Sequence, residues 1–410
     1  MKITRIAILL SLILSQNTLL FSSNFEYSGY YKAFYSIVVP PSYSNPLNLT
    51  VPETSSVLKN IFRFKAYYEK DDLSLNLAYS FAPIFQDSDE VASFTLNTNS
   101  NDYRFIDANT TLYGPENNFR INQNLDRAFL KIRSEKSDLY IGRQAIAWGN
   151  ARAVNPTDVL LPYRFDELDT EERTGVDAVR LRITNEDGMG EIDLGYIAGK
   201  DLKPENSALF VRDRFQMLDS DVSLLLINFK ENLLAGLDIA KSIGGAGFWL
   251  ETGYVFAKYF KDYENFKNSD YLRLSTGIDY SFDKIYCFLE YHYNEAGTTD
   301  PGNYVSNSSN LAYTDGSVFF LGKNYIVPSV SYQLTGLMSV SGTVFANLDD
   351  SSFFISPSFS YNIFENVYVA VSAFAGVGDG PEIAAGNTTR LNSEFGSYPI
   401  MYFSSLKLYF

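Results

Sequence analysis

The sequence predicts an all-β chain closed into a transmembrane barrel of about eighteen antiparallel strands, with sixteen as the alternative. Three observations predict it. From residue 24 onward apolar and polar residues alternate with period 2, in many segments about 10 residues long, the length a tilted strand needs to cross a bilayer. Short polar turns alternate with long segments, the asymmetry of a spanning barrel. The chain ends on an amphipathic strand whose last residue is Phe410.

At the N-terminus, Lys2 and Arg5 precede an apolar run from Ile6 to Leu14. That order of charge and apolar run reads as a secretory signal peptide over residues 1–23, and the run is too short for a spanning helix. Nothing after it provides 18 consecutive apolar residues, so any membrane crossing falls to strands within 24–410.

Alternation is plainest in "LSLNLAYSF", where Leu73, Leu75, Leu77, Tyr79 and Phe81 share one face. "YLRLSTGIDYSF" sets Leu272, Leu274, Ile278, Tyr280 and Phe282 opposite Arg273, Ser275, Asp279 and Ser281. "SFFISPSFSYNI" repeats the pattern. Between strands lie the short turns "EKDD", "SEKSD", "NEDG", "SFDK", "QLTG" and "FEN", against the long segments 37–57, 84–124, 145–173, 294–318 and 378–396. A first count gives seventeen strands, an odd number that would put the long 294–318 segment on the wrong side of the membrane. A weaker strand in "ALFVRDRFQ" restores parity and makes eighteen. "SIGGA" then turns at the short-loop end and "YFKDYENFKN" at the other.

With apolar faces toward lipid, the opposite faces line a lumen. Its basic residues come early: Arg63, Lys65, Arg127, Lys131, Arg133, Arg180 and Arg182. Its acidic residues come later: Asp238, Glu251, Asp279 and Glu290. Two oppositely charged walls would set a transverse field across a narrow passage, whereas local pairing would make the same residues mere wall braces. The segment 145–173 is less polar than the other long loops, with Trp148, Val154, Val159, Leu160, Leu161, Pro162, Tyr163 and Phe165. It is expected to fold inward as a constriction carrying Trp148, Arg152, Asn155, Asp158 and Arg164. An external loop packed on its neighbours is the alternative.

"GRQAIAWG", then "NPTD" and "ERTGVDAVRLRI", resemble a motif of Gram-negative outer-membrane barrels akin to alginate-export and other substrate-selective porins. The resemblance covers residues 139–183. It implies a channel with an inward-folded constriction, monomeric or homo-oligomeric, in the cell outer membrane. The terminal strand resembles the signal by which the barrel-assembly machinery recognises its clients, with Phe410 as the key residue.

Several classes are disfavoured. A net charge of −15 argues against nucleic acid as a partner. One Cys, Cys287, excludes an intrachain disulfide, and one His, His292, leaves no Cys/His metal cluster and little basis for nucleophilic catalysis. No cofactor is implied. The expected function is passive diffusion of small hydrophilic or charged solutes. The alternatives are a non-conducting adhesin or scaffold acting through its outer loops and, more remotely, a soluble exported β domain.

Overall fold

The structure, a computed structural model, describes residues 24–44, 53–87, 103–107, 110–116, 118–185, 188–315, 317–384 and 388–410. The expected signal peptide, residues 1–23, and much of the 84–124 loop lie outside the described residues. The wall begins with β1 (Phe25–Val39), β2 (Ser55–Lys70), β3 (Leu73–Gln86), β4 (Phe119–Arg133), β5 (Ser137–Gln144) and β6 (Val176–Thr184). It continues with β7 (Glu191–Ile197), β8 (Ala208–Met217), β9 (Ser220–Phe229), β10 (Asn232–Ile243), β11 (Ala246–Phe256) and β12 (Tyr271–Phe282). The last six are β13 (Ile285–Asn294), β14 (Asn324–Gln333), β15 (Met338–Asn347), β16 (Phe353–Phe364), β17 (Val367–Val377) and β18 (Ile400–Tyr409).

Each wall strand pairs antiparallel with the next, and β18 pairs back onto β1 from Tyr30↔Tyr409 to Val39↔Ile400. Closure removes the two free edges that an open eighteen-strand wall would present. The barrel has eighteen strands, which excludes the sixteen-strand alternative. The eighteenth is the weak one: β8 pairs with both β7 and β9. Local turn chemistry agrees with this path. Gly244 and Gly245 sit at φ 58° and 86° between β10 and β11, the left-handed pair that a two-residue hairpin requires.

Period 2 arises because each strand separates two media. Leu73, Leu75 and Leu77 of β3 all point outward and are exposed on the isolated chain. Inward faces carry the polar residues together with two apolar clusters. One joins Ile146, Trp148, Val159 and Leu160 to wall residues Phe210, Ile227, Phe229 and Leu234. The other gathers Val154, Phe320, Tyr325, Phe345, Phe354, Phe374 and Phe395. Residues 145–160 therefore contribute to both clusters, within the barrel.

A short wall strand marks where the chain leaves the sheet. β5 has only 8 residues, and its pairing with β4 stops at Arg143↔Ala128. Above that point β4 is flanked instead by the short strand Thr110–Glu116, so its edge stays covered. On β4 itself a bulge leaves Asp126 unpaired between Ala78↔Arg127 and Tyr79↔Leu125. A bulge turns two successive side chains to one face, and here both Asp126 and Arg127 point inward.

Candidate constriction inside the barrel

From Ala145 the chain turns into the lumen and touches wall strand after wall strand in nearly circumferential order. Trp148 packs edge-on against Phe210 of β8, ring centroids 4.8 Å apart. Gly149 follows at φ 105°, and a Cβ there would lie 2.4 Å from Asn155 Oδ1 and 2.6 Å from Glu251 Oε2. Only glycine fits that corner. Asn150 Nδ2 then donates to Asp238 Oδ1 at 2.9 Å.

Two wall carboxylates hold the next stretch by its backbone. Glu251 of β11 accepts from the amides of Asn150, Ala151 and Thr157 at 3.0, 3.1 and 2.9 Å, and from Thr157 Oγ1 at 2.7 Å. Glu290 of β13 accepts from the amides of Arg152, Ala153 and Val154 at 2.8, 3.2 and 2.9 Å, and from Trp249 Nε1 at 3.0 Å. A segment without regular structure must find partners for its peptide groups, and here the wall provides them. On β12, Ser275 Oγ donates to Val154 O at 2.7 Å and Arg273 Nη1 to Pro156 O at 3.3 Å. His292 Nδ1 lies 2.9 Å from the same Ser275 hydroxyl, so the chain's one histidine is packed beneath the loop.

Farther along, Phe165 inserts among Phe320, Phe345, Phe354, Phe395 and Tyr398, with ring centroids 4.8–5.7 Å away. The acidic stretch that follows reaches the other side of the barrel. Asp169 and Glu171 meet Lys32 of β1, and Glu172 meets Lys65 and Arg63 of β2. The segment returns to β4, where Arg127 Nη2 donates to Arg173 O at 2.6 Å and Gly175 N to Asp126 Oδ1 at 2.8 Å. From β8 round to β4 it thus lines most of the inner wall.

The expected charge pattern requires correction. Glu251 and Glu290 are fully buried and Asp238 nearly so; they face the loop rather than an open lumen. Asp279 holds Arg152, whose Nε and Nη2 both lie 2.9 Å from Asp279 Oδ2 while its guanidinium sits 5.2 Å from the Trp249 ring centre. The expected basic wall is paired in place as well. Arg63 and Arg127 meet Asp126 at 2.6 and 2.7 Å, Lys131 meets Asp138 at 2.8 Å, and Arg133 meets Glu69 at 3.3 Å. Arg180 meets Asp193 at 2.5 Å, Arg182 meets Glu191, and Lys65 meets Glu172. Each cation has its carboxylate within the wall or the strap, so two opposed bare walls do not form.

Within the loop, Asp158 is buried against Arg173; burial pushes its carboxyl pKa up, and the guanidinium only partly offsets this. Asn155 O accepts from Asp158 N at 3.2 Å, which closes the turn, and Arg164 pairs with Asp166 at 2.9 Å. Phe410 lies at the end of the barrel, its amide and carbonyl bonded to Gly29 of β1 at 3.0 and 2.8 Å. Asp126, Asp193 and Glu191 are carboxylate partners of the wall cations, and the expected set omits them. Asp126 reaches the lumen only through its bulge, whereas "EIDLGYIA" could have signalled the other two as lumen neighbours of Arg180 and Arg182.

Below the strap, a cavity of about 510 Å³ opens toward the short-turn end, lined by Asn150, Arg152, Gln216, Asp221, Lys241 and Trp249 among others. No known family and no curated protein matches the sequence. Solved structures do match. The outer membrane protein OpdK of Pseudomonas aeruginosa superposes with a TM-score of 0.54 at 8% identity, covering 95% of this chain and 99% of that one. A BenF-like porin from Pseudomonas fluorescens gives 0.54 at 10% identity, with coverages of 95% and 100%. OccK2 (OpdF) of Pseudomonas aeruginosa, solved in complex with glucuronate, gives 0.52 at 11% identity, with 95% and 99%.

This chain has the fold of those barrels.

Proposed function

We propose that the protein is an outer-membrane channel through which small hydrophilic or charged solutes diffuse passively, narrowed by segment 145–173. The observation that carries the reading is the course of that segment: it follows the inner wall strand by strand and bonds to it through its backbone. A strap laid against the wall narrows a passage; one drawn across the centre would plug it. The cavity beneath it, with Asn150, Arg152, Gln216 and Asp221 in its lining, supports passage of small polar solutes. Net selectivity then rests on local imbalance around Arg152, Lys65 and Arg133, paired cations that stay partly exposed.

Residues 1–23 would direct export, and the strand ending in Phe410 would be read by the barrel-assembly machinery. A homo-oligomer is compatible with the outward apolar surface. The "GRQAIAWG" and "NPTD" motifs support kinship with substrate-selective barrels, but not polyanion export, since the lumen cations are matched by carboxylates. OccK2 was solved with glucuronate, which makes sugar acids sensible first solutes. Purified protein in planar bilayers is expected to give stepwise current that small sugar acids partly block. The absence of any step would favour the scaffold reading instead.

A further inference from the structure

The inner face of the closing seam is positively charged. Lys32 of β1 stands directly opposite Lys407 of β18, and Arg63 and Lys65 follow on the inner face of β2. Like charges directly opposed across a strand pair oppose its formation. Nothing in β1 or β18 neutralises them; the strap does. Glu171 lies 2.6 Å from Lys32 Nζ and 3.4 Å from Lys407 Nζ, and it accepts from the Tyr409 hydroxyl at 2.7 and 2.8 Å. Asp169 takes the other side of Lys32 at 2.9 Å, and Glu172 bridges Lys65 and Arg63. Lys32 is fully buried among these groups, with its ammonium 4.2 Å from the Tyr30 ring centre.

We propose that residues 169–172 are an electrostatic clasp for the β1–β18 seam, so that barrel closure and docking of the strap are one coupled step. A cation as deeply buried as Lys32 is tolerated only with its counter-ions in place. Those counter-ions come from a loop that begins across the barrel. The seam closes stably only once the strap is inside, and the strap finds its last anchor only once the seam has closed. This concerns assembly and holds whether or not the chain conducts.

The test is the unfolding rate of the detergent-solubilised full chain in SDS at fixed temperature, read by the gel shift between folded and unfolded barrel. Glu171→Gln is expected to unfold about tenfold faster than the native chain. Adding Lys407→Gln, which removes the opposed charge, should recover most of that loss. In a Cys287→Ser background, a disulfide between Ala33→Cys and Leu406→Cys, register partners on the outer face of the seam, should bring the effect of Glu171→Gln to within about twofold. Should Glu171→Gln fail to assemble, Tyr409→Phe removes one donor to the same carboxylate without changing charge, and it is expected to accelerate unfolding less. Equal acceleration with and without the seam disulfide, or no acceleration in either variant, overturns the proposal.

Discussion

Replacing Glu290 by alanine tests the strap where its anchoring is densest. Its carboxylate receives three consecutive backbone amides and the Trp249 indole, four donors in all. Hydrogen bonds to a charged group contribute about 1.5 kcal/mol or more each, so the three strap amides hold the segment by roughly 4.5 kcal/mol, while the Trp249 indole braces the carboxylate from the wall. The alanine variant would leave those donors buried and unpartnered, a cost that residues 152–154 escape by leaving the wall and becoming hydrated. The barrel, with residues 169–172 still seated on its seam, should persist with a loosened constriction. Single-channel recording is expected to show a higher and noisier open current. Glu290→Gln should fall between, because its amide keeps one accepting oxygen and turns an NH2 toward the remaining donors. Glu264→Ala is the control, since Glu264 lies in the loop between β11 and β12 and pairs with the exposed Lys267 at 3.1 Å. Native-like current and noise in Glu290→Ala would refute the view that this carboxylate holds the strap.

Three further outcomes are expected. Phe165→Ala empties the centre of an aromatic cage of Phe320, Phe345, Phe354, Phe395 and Tyr398 and should cost about 3–5 kcal/mol locally, visible as faster unfolding in SDS. Gly149→Ala places a methyl against Asn155 and Glu251 at a positive φ; it should alter conductance in the same direction as Glu290→Ala. Glu394, in the loop before β18, is buried against Tyr325, Asn347 and the Leu321 amide, and burial pushes its carboxyl from 4.5 up to about 7. A raised folded-state value means that the contribution of this site is full below pH 4.5 and is lost as pH rises through about 7. Proteolysis of the outer loops should therefore be faster at pH 8 than at pH 5, and Glu394→Gln should flatten the difference.

Much of the wall was legible in the sequence because lipid on one side and polar contents on the other impose a strict two-residue period. The weak strand "ALFVRDRFQ" shows the limit of that signal. Arg212, Asp213 and Arg214 interrupt the alternation, and the requirement for an even strand count reveals the strand where hydropathy does not. The apolar content of 145–173 likewise sets it apart from the Asn- and Ser-rich loops. What periodicity could not show is where each charge is satisfied. Glu251 and Glu290 look in sequence like Asp279, an acidic residue on an inward face; only the path of a remote segment decides that the first two meet backbone amides and the third a guanidinium. Asp126 breaks alternation itself, since a bulge adds one residue without any mark in composition.

Anchoring through peptide groups has a consequence for how such a constriction can change. Every residue except proline offers the same amide to Glu251 or Glu290, so the course of the strap is written in the wall and is largely indifferent to which side chains the strap carries at positions 151–153. Arg152 could become neutral, acidic or bulky while its amide stays bound to Glu290 at 2.8 Å. A lumen built this way separates shape from chemistry: the frame is conserved by two carboxylates, and the lining is free to be exchanged one residue at a time.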